Sequence, residues 1–326
     1  MIQTIFVQIC SYRDAELDQT IQSAINNATH PERLSFGICY QYGDGEIEPS
    51  SFTLYSSQIK VKKIKWTEAK GVGWARNICN SFYSGEEYTL QIDSHHIFKK
   101  SWDEELINQW RLCRHPKAVI TGYPPGYTYN TNNEILLNEI PQNTMIVKGF
   151  DGGFIPTFKS FPSMSVGNIP IRGSFIAGGL MFMKGTVCQE VPYLPEIYFT
   201  GEEIIHSLRL FTYGYKVFYP HKWVIHHHYE RNGAHRHWTD CFESNDNTLI
   251  NKLLELTSTS DRFVQGILEG NITENILGTR YSIKDFENYS GVMFKEKILY
   301  DKMLQGYEPP FSSNWSNTGT LILSSN

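Results

Sequence analysis

The sequence predicts an α/β protein with a mainly parallel central sheet and a small helical C-terminal extension. Strand-like and helix-like segments alternate through the first half of the chain, and polar clusters follow several of the strands. The composition is that of a folded domain: 326 residues, 40% hydrophobic and 19% charged, enough to bury a large core.

The elements follow in order. The short apolar run Ile5-Phe6-Val7-Gln8-Ile9 reads as a buried strand. Leu17, Ile21, Ile25 and Ala28 recur at helical spacing until Pro31 stops them. Residues 35–40 form a second strand, closed by the turn Gly43-Asp44-Gly45. From Ile59 to Trp66 apolar and basic residues alternate, the pattern of an edge strand. Trp74, Ile78 and Phe82 supply the apolar stripe of another helix, and residues 88–92 a strand that stops at Asp93. Ser101, with Glu104 three residues on, predicts a capping box for a helix burying Trp102, Leu106 and Trp110. Strand, helix and strand in this order imply right-handed crossovers, and such sheets bind ligands beyond the carboxyl ends of their strands. Ser11-Tyr12-Arg13-Asp14, Gly43-Asp44 and Asp93-Ser94-His95-His96 all fall there.

Residues 122–172 are rich in Gly, Pro, Asn and Thr without a long periodic segment, so they read as a lid or binding loop. A main unit is expected over residues 1–245 and a helical extension over 246–326, with the Ser/Asn-rich end frayed. The net charge of −5 provides no basic field for nucleic acid. The six cysteines, at 10, 39, 79, 113, 188 and 241, form no CxxC pair and read as buried thiols of a cytoplasmic protein. The N-terminal stretch lacks the basic start and cleavage site of a signal peptide. No apolar run reaches the ~18 residues of a membrane span.

Several groups carry chemistry. Asp93 and His95 close a strand two residues apart, a mixed O/N pair suited to Mn2+, or simply a solvated strand end. In His226-His227-His228 strand alternation sets His227 on the opposite face from its neighbours, so one or two of the three could meet a metal. His235 and His237 raise a zinc reading, though no HExxH or CxxC pattern accompanies them. Thr200 with Glu203 predicts a second capping box, while Glu202 shares a helix face with His206 and Arg209, either functional or a salt-bridged exterior. Lys70-Gly71-Val72-Gly73 precedes a helix whose first turn holds Arg76, so backbone amides and two cations could meet a phosphate. Gly178-Gly179 interrupt an apolar run, which implies close approach of a ligand or backbone.

Taken in order, SYRD, KGVGWARN, IDSH, IAGGLMFM, TGEE and a late histidine resemble the GT-A glycosyltransferases. The chain looks most like the retaining cytoplasmic polypeptide N-acetylglucosaminyltransferases that modify hydroxyproline. It is more distantly similar to the polypeptide N-acetylgalactosaminyltransferases, through Asp-x-His and AGGL. The resemblance covers most of residues 3–245 and implies a Rossmann-like GT-A domain that binds a UDP-sugar, with UDP-GlcNAc as donor and a protein or glycan hydroxyl as acceptor. It assigns Asp93 and His95 to a Mn2+ or Mg2+ ion, with His227 as third ligand through H-x-Y-x-R at 227–231. It places Ser11, Arg13 and Asp14 near the nucleoside, and Arg76 near the donor's phosphates or sugar. Ser94 stands within the metal motif, and Gly178, Gly179, Glu202 and Glu203 line the sugar and acceptor side. The acceptor is expected at 122–172. An inverting enzyme using Glu202 or Glu203 as base, and a zinc protein without transferase activity, are the competing expectations.

Overall fold

The computed structural model describes residues 3–311 and the backbone of residues 320–321. The first half runs β1 (Ile5–Tyr12), α1 (Leu17–Asn27), β2 (Leu34–Tyr42), α2 (Ser51–Leu54), β3 (Ile59–Lys65), α3 (Val72–Asn80), β4 (Tyr88–Ile92), β5 (His96–Phe98) and α4 (Trp102–Leu112). It continues through β6 (Ala118–Thr121), β7 (Tyr127–Tyr129), β8 (Ile135–Leu137), β9 (Asn143–Asp151), β10 (Ile155–Pro162), β11 (Ile171–Gly173) and β12 (Leu180–Lys184). Next come α5 (Val187–Glu190), α6 (Glu202–Thr212), β13 (Lys216–Tyr219), β14 (Ile225–His227), α7 (His237–Glu243) and α8 (Asn247–Leu268). The end holds α9 (Ile283–Ser290), β15 (Val292–Met293), β16 (Ile298–Leu299), α10 (Asp301–Leu304) and β17 (Thr320–Leu321).

Eight strands form the central sheet in the order β11-β13-β6-β12-β4-β1-β2-β3. β4, β1, β2 and β3 are parallel, as are β6 and β13, whereas β12 runs antiparallel between β4 and β6. The α/β expectation therefore holds, with β3 at the sheet edge as its alternating lysines predict. Strand alternation divides the core. Ile5, Val7 and Ile9 of β1 pack with α1 and α4, while Phe6 joins the cluster that includes α6 and α8.

Four local expectations are corrected. The α3 face that is buried consists of Gly73, Ala75, Arg76, Cys79 and Asn80; Trp74 and Ile78 are only partly covered and Phe82 lies past the helix end. Neither predicted capping box forms at α4 or α6. Ser101 sits in the left-handed region at φ 60° without a side-chain cap, and Gly201, not Thr200, caps α6 at φ 92°. Residues 122–172 are not irregular, because β7–β8 and β9–β10 are antiparallel pairs there. The C-terminal region is not purely helical either, since β15, β16 and β17 make a small sheet. Its Val264, Ile267, Leu268 and Phe286 enter the same core cluster as α6. The Ser/Asn-rich residues expected to fray at 312–319 and 322–326 lie outside the described residues.

Candidate metal centre

Parallel pairing aligns the carboxyl ends of β1 and β4, with Ile9 opposite Ile92, so the turn after each strand opens on one side of the sheet. Asp93 is the first residue past β4. Antiparallel pairing sets Leu180 opposite Ile92, which brings Gly179 beside Asp93. A Cβ at Gly179 would stand 2.6 Å from Asp93 Oδ2, so the missing side chain is what makes room for the carboxylate. The third participant arrives by a separate pairing: β14 lies antiparallel to β5 with His227 opposite His96.

Ligand atoms of Asp93, His95 and His227 thereby fall within 4.8 Å of one another. His227 Nε2 is 3.4 Å from Asp93 Oδ2. The other two histidines of the triplet point elsewhere, His226 Nε2 to the Asn138 carbonyl at 3.0 Å and His228 Nδ1 to Glu16 Oε1 at 2.6 Å. His95 is oriented from behind: its Nδ1 is 2.8 Å from Asp14 Oδ2, which also accepts from Ser94 Oγ at 2.6 Å. With Nδ1 donating to that carboxylate, Nε2 keeps the lone pair a metal needs. Arg231 completes the group, 2.8 Å from Asp14 Oδ2 and 3.4 Å from His95 Nε2.

Beneath the cluster lies a buried charge pair. Arg76 Nη2 reaches Asp93 Oδ1 at 3.1 Å, and its Nε lies 2.7 Å from Glu202 Oε1, a charge contact without hydrogen-bond alignment. Arg76 thus holds one oxygen of Asp93 and leaves the other to the histidines. Burial opposes ionisation of Asp93, but hydrogen bonding to His227 and the charges of Arg76 and the histidines hold its carboxyl well below the usual range. The Asp14 carboxyl is likewise held low, with His95 and Arg231 outweighing its burial. One carboxylate and two imidazoles in this arrangement fit a divalent ion of borderline character.

A cleft of about 370 Å3 opens onto the cluster. Asp14, Asp93, Ser94, His95 and His227 line it, together with Tyr12, Gln41, Val72 and Trp238. Other expected residues stand back from it. Ser11 is fully buried, and Cys10 and Tyr12 take the lining positions. Arg13 is held by Glu46 at 2.6 Å and Asp240 at 2.9 Å and borders an adjoining cavity of about 510 Å3. The phosphate cradle expected of Lys70-Gly71-Val72-Gly73 is corrected. The amides of Val72 and Gly73 already donate to the carbonyls of Tyr198 and Ile197, at 2.6 and 3.1 Å. Lys70 is exposed over the Trp74 ring.

Glu202, His206 and Arg209 are buried, not a salt-bridged exterior. Glu203 caps nothing; it accepts from the Gly178 amide at 2.9 Å and from Tyr123 Oη at 2.7 Å. Burial raises its carboxyl to about 7. His235 and His237 stay outside the three-ligand cluster, pairing with Asp240 at 2.9 Å and Tyr198 Oη at 2.8 Å. Tyr123, Glu16 and Arg231 were not singled out by the sequence reading; only Arg231, as the last residue of H-x-Y-x-R, left a signal there.

A family model described as glycosyltransferase (GlcNAc) matches residues 4–55 and 46–280. No curated protein matches the chain. Among solved structures, the crystal structure of GalNAc-T7 with UDP, GalNAc and Mn2+ is similar at TM-score 0.56 and 16% identity, over 87% of this chain and 54% of that one. The chain thus spans about half the length of that relative. At this identity the likeness is one of fold, and the fold is GT-A. Among the described residues no helix is long and apolar enough to cross a membrane.

Proposed function

The chain belongs to the glycosyltransferase (GlcNAc) family, and from that premise we propose a metal-dependent retaining transferase that moves GlcNAc from UDP-GlcNAc to a hydroxyl of a protein or glycan. The observation that carries the reading is the convergence of Asp93, His95 and His227 at the end of a central strand, beside a cleft. UDP and Mn2+ in the GalNAc-T7 structure support the same donor chemistry. Residues 1–245 form the catalytic unit in this reading, with acceptor contacts from 122–172. The six unpaired cysteines suit a cytoplasmic setting.

Asp93 Oδ2, His95 Nε2 and His227 Nε2 would hold Mn2+ or Mg2+. When bound, the ion supplies Lewis-acid charge for the departing diphosphate. Asp14 fixes His95, and Arg76 fixes Asp93, so the ligands need little rearrangement to bind. Arg231, on the cleft wall, adds positive charge where the leaving group develops its negative charge. Tyr12, Gln41 and Val72 offer a slot for the nucleoside at the ends of β1 and β2. In the retaining reading no side chain attacks the sugar, and positioning supplies most of the rate.

A second reading has one observation in its favour. The Glu203 carboxyl, raised to about 7, suits a general base, as an inverting enzyme requires. Both readings are tested by UDP release from a panel of UDP-sugars with Mn2+, in wild type and Asp93→Ala, followed by NMR of the product. Turnover of UDP-GlcNAc that is lost in Asp93→Ala, with an α-linked product, is the expected result. A β-linked product would turn the assignment to the inverting mechanism, and no turnover of any donor would overturn the transferase reading.

A further inference from the structure

Directly behind the metal cluster stands a histidine that the cluster does not use. His96 faces His227 across the β5–β14 pair, with ring centroids 4.9 Å apart and the planes inclined at 72°. The His96 side chain is fully buried. Its Nδ1 lies 3.1 Å from the Asp93 carbonyl oxygen. A carbonyl only accepts, so that nitrogen carries the proton, and in the neutral ring Nε2 is a bare lone pair. Among the described residues neither this Nε2 nor Nδ1 of His227 has a hydrogen-bond partner, although both atoms are buried. An unpaired buried polar atom is costly, and two on facing rings ask for a common explanation.

The tautomers supply one. His227 turns Nε2 toward Asp93 Oδ2. If Nε2 gives its lone pair to a metal, the proton of the neutral ring must sit on Nδ1. The two neighbouring rings then carry one unpaired donor and one unpaired acceptor. We propose that His96 is a positioning residue of the metal centre: its Nε2, which makes no direct bond to His227, accepts from Nδ1–H of His227 through one water, and so fixes that ligand's orientation and tautomer. The assignment rests on the reading of Asp93, His95 and His227 as metal ligands. His95 takes the same support from Asp14 at 2.8 Å, so each imidazole ligand has its own outer partner. The chain closes on itself, because Nδ1–H of His96 donates to the backbone of Asp93 and ties two ligands together.

The test compares Mn2+ binding by calorimetry in the 326-residue wild-type chain, His96→Asn and His96→Gln. Asparagine keeps an amide where Nδ1 stood, and with it the Asp93 carbonyl contact, but has no acceptor at the Nε2 position. Glutamine places an oxygen near Nε2. Affinity is expected to fall ~10–100-fold in His96→Asn and to return to within about threefold of wild type in His96→Gln. Nitrogen-15 NMR of the wild type with Zn2+, a diamagnetic stand-in, is expected to find the His96 proton on Nδ1. Wild-type affinity in a folded His96→Asn, or a His96 proton on Nε2, would overturn the assignment and leave the metal site standing. A wild-type chain that binds no Mn2+ would overturn both. Should His96→Asn fail to fold, the His96→Gln affinity and the NMR tautomer decide.

Discussion

At Asp93 the two oxygens of one carboxylate have separate duties, Oδ1 to Arg76 and Oδ2 to the histidine side. Glu203 shows how strongly the same region acts on a second carboxyl. Burial raises it to about 7, so between the usual carboxylate range and that value the folded chain binds the extra proton. Stability therefore falls as pH rises through this window, by ~3 kcal/mol as an upper bound. Thermal melts of Glu203→Gln are expected to lose that slope, with the variant more stable than wild type at pH 8 and the advantage gone below pH ~4.5. A wild-type slope in the variant would place the titration elsewhere. The sequence alone brought Asp93 and His95 forward as a polar pair ending a buried strand, with a solvated strand end as the alternative, and only the resemblance assigned them to a metal. It could not choose among His226, His227 and His228, since the choice depends on which face of β14 meets β5. Nor could it show Arg76 as the partner of Asp93, because residues 17 apart in sequence meet only through the crossover packing.

Among elements, the start of α3 shows how a local pattern is overruled by packing. Its glycines look like a phosphate loop, yet they serve contact with residues 194–198. A Cβ at Gly71, φ +101°, would stand 2.3 Å from the Tyr198 carbonyl oxygen, and one at Gly73 the same distance from that of Leu194. Gly71→Ala is expected to cost more than ~1 kcal/mol in chemical unfolding, and to shift Val72 at the cleft wall. An unchanged midpoint would show that the segment yields freely. The capping boxes failed for a related reason. Ser101 and Gly201 both adopt left-handed backbone where the chain turns into its helix, which leaves the side-chain geometry of a box unavailable. The strands at 127–162 were hidden because their apolar runs, Ile135-Leu136-Leu137 and Met145-Ile146-Val147, are only three residues long between polar and turn residues.

On the scale of the whole molecule, the alternation of strands and helices gave the α/β architecture correctly, since local periodicity fixes the crossovers. The antiparallel insertion of β12 depends on long-range pairing and left no local mark. The C-terminal region is likewise bound into the core. Val264, Ile267, Leu268 and Phe286 are each at most 4% exposed, and burying four such side chains contributes roughly 6–12 kcal/mol, comparable to the whole stability of a domain. A chain ending at residue 245 is therefore expected to be unfolded by circular dichroism, even if the proposed chemistry lies entirely before that point. A folded truncation would show that the extension is only an appendage.

In the proposed function Asp93, His95 and His227 hold the ion that binds the donor's diphosphate. Titration calorimetry of UDP with and without Mn2+, in wild type and His227→Ala, tests it most directly. Mn2+ is expected to tighten UDP binding to wild type at least about tenfold, ~1.4 kcal/mol, and to do nothing for the variant. Equal UDP affinity with and without Mn2+ in wild type would contradict it.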